Sequence, residues 1–257
     1  MRKTGIILSA IMFFSVGCGN RQTKTTNNKL VGKQDTVPAE QQLNVEQLDE
    51  NHNKIEVNYV LNKELLDIIL LMPDSAFSTW DWKIEDRKKW YNEIKSNNFW
   101  IDKDTMFFNQ IYFRPNTACF QIVDGSWTIS TYKTFDNSFI VITNDIAGDG
   151  NTINIFEVKN NKIIESLSFE SLFGDYRKQI KLDNLPQECD KKFIDLDDPI
   201  FTYDFSDKNI VEIESSWYLT KEEFKDCLKG NSILYKFNSK TRKFEIDRIY
   251  WKPKKSN

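Results

Sequence analysis

One histidine in 257 residues is the first constraint. A chain with His52 alone cannot assemble a His-rich metal set, and any imidazole chemistry is confined to that position. His52 also sits in a stretch without aromatic residues, whereas a working imidazole needs a rigid scaffold. Ser–His–Asp and Cys–His schemes therefore fall away. A charge excess is missing too. The 35 Lys+Arg face 38 Asp+Glu, a formal net charge of −3, which leaves no bulk electrostatic case for binding nucleic acid. Nine Gly and six Pro exclude collagen-like and Pro/Gly-rich low-complexity chains. There is no Gly-rich phosphate loop and no Gly-x-Ser-x-Gly elbow. No motif calls for a cofactor. The one sustained apolar run, Gly5 to Val16, is too short to cross a bilayer as a helix.

What is present begins at that run. Arg2 and Lys3 form a basic flank, Gly5–Val16 the apolar stretch, and Ser15-Val16-Gly17-Cys18 its end. This order resembles the lipobox of bacterial lipoproteins, with Ser15 where Leu is usual. The resemblance covers the signal segment only. It implies cleavage before Cys18, acylation of Cys18 (palmitate among the chains), and a mature protein held to the membrane by lipid. Each buried CH₂ contributes about 0.8 kcal/mol, so several chains anchor stably where one is marginal. Gly19, where Asp would signal inner-membrane retention, points to the outer membrane with the protein facing the periplasm.

From Gly19 to Asn58 there is no Phe, Trp or Tyr, and Asn, Gln, Thr, Lys and Glu dominate. Such a segment cannot bury enough apolar area to offset its ordering entropy. The expected organisation is a signal peptide over 1–17, a lipidated N-terminus and disordered tether over 18–58, and a single β-rich domain over 59–253. The tether would reach roughly 35 Å. Hydrophobic residues at 40% and aromatics at 14% supply the core.

Within the domain the apolar period is first helical. Asn62 can cap a helix bearing Leu65, Leu66, Ile69 and Leu70, stopped by Met72-Pro73; Arg87, Trp90, Tyr91 and Ile94 share a face of a second helix over 84–96. The period then becomes two. Strands are expected around 106–113, 117–123, 127–134, 139–143, 152–158, 162–169, 201–205, 211–214, 233–237 and 244–249, with Asp124-Gly125 and Asn160-Asn161 as turns. Thr220-Lys-Glu-Glu223 has the form of a capping box, with Gly230 at the C′ place. The fold class is therefore α+β: mainly an antiparallel meander of about nine or ten strands, two N-terminal helices and one inserted short helix. A weak internal repeat, Asp136–Ile142 against Asp207–Ile213, leads twice into strand–turn–strand.

Candidate sites are few. Asp145-Ile-Ala-Gly-Asp149-Gly150-Asn151 has the look of a Ca²⁺ loop, but Ala147 and Phe156 stand where an EF-hand needs oxygens, and a plain turn is expected. Asp195, Asp197 and Asp198 read as a solvated loop, and Lys252-Pro-Lys-Lys255 as a solvated basic tail. No metal site is expected. Trp80, Trp82 and Trp100 are the candidates for surface recognition, since aromatic side chains on a groove stack on sugars or form protein hot spots. Of the three cysteines beyond Cys18, Cys119 and Cys227 read as small buried hydrophobes, and Cys189 as a residue of a polar loop that needs a partner. A Cys189–Cys227 bond is the expectation, with three free thiols as the alternative. The leading functional reading is a non-enzymatic periplasmic lipoprotein that holds a protein partner on a sheet face or cleft, as an immunity or inhibitor protein would. The alternatives are a carbohydrate-binding accessory lipoprotein using its tryptophans and a carboxylate-dependent hydrolase.

Overall fold

A computed structural model describes residues 54–77, 81–102, 110–122, 125–148, 150–194 and 201–254. Cys18, His52, Trp80, Asp149, Asp195, Asp197 and Asp198 lie outside the described residues. Among the described residues no helix is long and apolar enough to cross a membrane.

The described chain opens with strand β1 (Lys54–Glu56), inside the segment assigned to the tether, and Val57 behind it is fully buried. The domain thus starts before residue 59. Helix α1 (Tyr59–Leu71) is capped by Asn58, whose side chain accepts from the Leu61 amide at 3.2 Å. Asn62, the expected cap, lies inside the helix instead, buried and donating to the Asn58 carbonyl at 2.9 Å. The helix stops where Pro73 forces Met72 into an extended conformation. A 3-10 turn (Asp74–Phe77) leads toward helix α2 (Ile84–Ser96), which buries Arg87, Trp90 and Ile94.

Strand β2 (Trp100–Asp102) pairs with β1. Six strands then form one antiparallel meander: β3 (Gln110–Arg114), β4 (Thr117–Ile122), β5 (Gly125–Lys133), β6 (Phe139–Ala147), β7 (Gly150–Lys159) and β8 (Lys162–Leu167). Three short helices follow, α3 (Phe169–Phe173), α4 (Tyr176–Gln179) and α5 (Gln187–Ile194). The chain closes with β9 (Thr202–Asp204), β10 (Ile210–Glu214), α6 (Lys221–Phe224), β11 (Ser232–Asn238) and β12 (Lys243–Tyr250), the strands forming a second sheet in the order β12-β11-β10-β9.

The fold is α+β and mostly β, but the strands and helices are arranged differently from expectation. Among the described residues twelve strands make three sheets, and four short helices stand where one was expected. The extra helices escape a periodicity reading because four to eight residues are too few to show a period. The expected helix after Thr220 shortens to Lys221–Phe224, and Thr220 makes no side-chain cap bond. Gly230 is not a left-handed cap either: a Cβ there would lie 2.5 Å from the Tyr250 carbonyl oxygen, so glycine is needed for close backbone approach.

Alternation sends the two faces of the six-stranded sheet to different cores. Phe120, Trp127, Ile129, Val141, Phe156 and Val158 meet α1, α2 and the 3-10 turn. Tyr132, Ile140, Ile142 and Ile155 meet the second sheet and α3. The result is three layers, helices on sheet on sheet, with the large sheet covered on both faces. Trp127 anchors the first core: fully buried, it donates its indole N–H to the Ala76 carbonyl at 2.7 Å and stacks on Phe77 at 4.4 Å. An indole of that kind buries about 150–250 Å², an upper contribution of about 4–6 kcal/mol. Fully buried Arg87 ties α2 back to the first helix. It donates to the Met72 carbonyl at 2.6 Å and to the Trp82 carbonyl, pairs with Asp74 at 3.1 Å, and lies over the Phe77 ring at 4.3 Å.

The sheets are stapled at one end. Arg242, in the β11–β12 turn, reaches Glu157 of β7 at 2.9 Å and Asp136 of the β5–β6 turn at 2.7 Å. Asp136 also accepts from Lys159 at 2.8 Å and Thr134 at 2.7 Å. The Lys159 and Thr134 hydrogen bonds outweigh desolvation and, with Ser138 and Arg242, hold its carboxyl well below the usual range.

Candidate functional site

The outward face of the second sheet carries a bonded group of charged side chains. Strand β10 reads Ile-Val-Glu-Ile-Glu. Val211 and Ile213 point into the core, so Glu212 and Glu214 share the outer face. Register sets Leu234 and Ser232 of β11 beside them, then Arg248 and Tyr250 of β12, with Asp204 and Thr202 of β9 on the other flank. Ile210, Asp204, Lys236, Glu245 and Arg248 are exposed, so this face is open.

Its centre is a bonded cluster. Glu212 is only 5% exposed; its carboxylate accepts from the Tyr250 hydroxyl and lies 3.0 Å from the Lys252 ammonium. Lys252 stands 3.5 Å from Glu214, which accepts from the Ser216 amide at 2.9 Å. Burial disfavours the charged form of Glu214, but Ser216 and Lys252 together outweigh it and lower its pKa. Beyond the cluster, Lys254 lies over the Trp217 ring at 5.1 Å and Arg248 over the Tyr250 ring at 4.9 Å.

Asn231 sets the position of Lys252. Buried to 1% exposure, it accepts from the Lys252 amide at 2.7 Å and donates to the carbonyls of Leu219 and Lys252, each at 2.9 Å. Gly230 lets this turn approach the end of β12. The last strand, the 215–219 loop and the basic residues after β12 are thus locked into one unit.

Lys252 is held against Glu212 and Glu214, which corrects the reading of a solvated tail at that residue; Pro253 and Lys254 are exposed. The signal that could have found the site is Glu212-x-Glu214 on a strand, two carboxylates on one face about 7 Å apart along the chain. Nothing local shows that Lys252 returns to them. A carboxylate pair can also suggest hydrolysis, but a general acid needs a raised pKa. Glu214 is shifted the other way. The cluster is a fixed arrangement of charge and hydrogen-bond groups.

The other candidates are placed as follows. Trp82 is half-buried and packs edge-on against Phe77 at 5.4 Å and Trp90 at 5.2 Å, beside the first core. Trp100 is 38% exposed on β2. Asp145 lies in β6 opposite Thr152, 2% exposed, and the chain reverses through Gly148 at φ +56° as a hairpin. Among the described residues no three His, Cys, Asp or Glu side chains gather as a metal would require.

Cys189 and Cys227 are joined by a disulfide across a sequence separation of 38. Cys189 is not in an exposed loop: it sits in α5, fully buried. Cys119 is not a free thiol; it too is disulfide-bonded and buried.

No family model and no curated protein matches the chain. Among solved structures, a domain of an uncharacterized protein from Porphyromonas gingivalis W83 is similar, with a TM-score of 0.47 and 14% identity over 72% of this chain and 98% of that one. A likeness at that level carries no functional argument.

Proposed function

We propose that the protein is a lipid-anchored lipoprotein of the outer membrane, facing the periplasm, that binds a protein partner without catalysing a reaction. The anchor rests on the basic–apolar–small–Cys18 order of the N-terminus; it uses the Cys18 sulfur, so with Cys189 and Cys227 paired it and an intrachain disulfide of Cys119 exclude each other, and the intact mass at Cys18 decides between them. The binding role rests on one observation, the open outer face of the second sheet with its locked Glu212–Lys252–Glu214 cluster. Mixed charge around half-buried Leu234, Tyr250 and Trp217 suits a protein surface, where charges set register and rings supply contact area. Preorganised side chains also lower the entropy cost of binding. The carbohydrate reading rests on Trp80 and Trp100, since Trp82 packs partly buried against the first core.

Photo-crosslinking tests this. A photoreactive amino acid in place of Lys236 or Arg248, both exposed on the face, should yield one discrete protein adduct in native envelopes. Lys252→Glu should abolish it while the fold, read by circular dichroism, persists. Adducts absent from this face but formed from the opposite layer of helices would refute it.

A further inference from the structure

Of the eight large apolar residues exposed among the described residues, Val60, Leu61, Trp100, Phe135 and Ile210 gather at one end of the domain, while Ile164 lies in β8, Tyr218 in the loop after β10 and Ile246 in β12. Phe135 (76% exposed) caps the β5–β6 turn, and Val60 (88%) and Leu61 (40%) lie in the first turn of α1. Two contacts fix their relation. Lys133, at the end of β5, pairs with Glu64 of α1 at 3.5 Å, while Trp127, at its start, bonds to Ala76 beyond the end of α1. Helix and strand therefore run antiparallel, and the first turn of α1 lies at the Phe135 end. Trp100 follows Phe99, which stacks on Tyr59 at 4.2 Å, so it belongs to the same end. So does Ile210, since the Phe237 amide bonds to Asn209 and the Phe135 amide to Ser239.

The same end is basic. Five connections meet there: 114–117, 133–139, 157–162, 205–209 and 238–243. They carry eight Lys or Arg against three Asp or Glu, in a chain whose net charge is −3. Asp136 and Glu157 are moreover bonded to Arg242 and Lys159 within the staple, while Lys162, Lys208, Lys240 and Lys243 are exposed.

The chain also enters the domain at this end. Residues 1–53 precede β1, and Val57 and Asn58 lead directly into the first turn of α1. We propose that this end, formed by Val60, Leu61, Trp100 and Phe135 within the ring of basic turns, docks on the surface of an anionic phospholipid bilayer. The inference rests on the lipid-anchor reading of Cys18, which keeps the domain within the tether's reach of the bilayer, while the charge and apolar residues of this end give the orientation. Apolar and aromatic side chains enter the headgroup boundary while Lys and Arg meet anionic headgroups. The Glu212–Trp217 face, at the other end of β10, then remains open to a partner.

The test uses the full chain purified from its envelope and mixed with phosphatidylethanolamine–phosphatidylglycerol vesicles carrying a photoactivatable phospholipid. Intact mass at Cys18 reports the anchor separately. Lipid should label the peptides bearing Val60–Leu61 and Phe135. Phosphatidylcholine vesicles, 0.5 M salt, or the exposed-site variant Val60→Ser/Phe135→Ser should each lower that labelling at least about threefold. Labelling confined to other peptides, labelling equal in the variant, or a protein crosslinked at Phe135 in native membranes with no lipid label would overturn the docking, whatever the mass at Cys18. An unacylated Cys18 with full Phe135 labelling would overturn the anchor and leave the docking standing.

Discussion

Removing the Cys189–Cys227 bond should cost the domain a large part of its stability. The bond ties α5 to the segment after α6, two short pieces with little regular pairing of their own: the antiparallel bridge between Lys181 and Leu228 lies beside it. With a sequence separation of 38, loop closure removes about 13 cal/mol/K from the unfolded chain, or about 4 kcal/mol at 25 °C. For a domain of this size each kcal/mol moves the melting temperature by about 2–4 °C, so Cys189→Ala/Cys227→Ala should melt about 8–16 °C below the parent. Both sulfurs are buried, so alanine adds a small cavity cost of the same sign. The paired substitution is the right perturbation, because reductant would also act on Cys119. Calorimetry of the full chain and the variant under identical conditions gives the number. A variant melting within about 3 °C of the parent would refute the assignment of this bond as a constraint on the unfolded state.

Three further outcomes are expected. Arg87→Met should destabilise by about 3–5 kcal/mol, because the Met72 and Trp82 carbonyls and Asp74 lose a buried donor; a denaturation midpoint near the parent's would contradict that. Asp136 has a folded pKa below its unfolded value, so it stabilises above the ordinary Asp range near 4 and loses this effect as pH falls further; Asp136→Asn should weaken the protein at pH 7 and flatten its acid limb, and parallel acid-unfolding curves would sink the idea. Tyr91 is pushed up to about 12 by burial and by Tyr59, and burial also raises Tyr132, Tyr203 and Tyr235; ultraviolet titration should leave these four protonated past pH 11, their protonation favouring the fold below pH 10 and that contribution fading as pH rises, whereas one smooth titration of all nine tyrosines near pH 10 with the fold intact would refute it.

The open-face site was legible only in part. Alternation along Ile210–Glu214 places Glu212 and Glu214 on one face, because the strand period is a local property. The partner Lys252 arrives from 38 residues on, held by Asn231, and neither has a local signature. The tryptophans show the same division. An indole reads alike in sequence whether it packs or is displayed; Trp82 is a recognition candidate from sequence, and in the fold it lies half-buried against Phe77, Trp90 and Phe120.

By itself the sequence determined the order of most elements, the helix over 84–96, the strands from Thr117 to Leu167 and from Ile210 to Tyr250, and the turns between them. Those follow from short-range period and turn chemistry. Tertiary structure alone decided that the large sheet is covered on both faces, that Cys189 is buried in a helix, that Lys252 answers two carboxylates, and that the basic turns meet exposed Val60, Leu61, Trp100 and Phe135 at one end. Each depends on which distant segments meet, and the free energy that selects those meetings comes from burial summed over whole layers, not from any window of neighbouring residues.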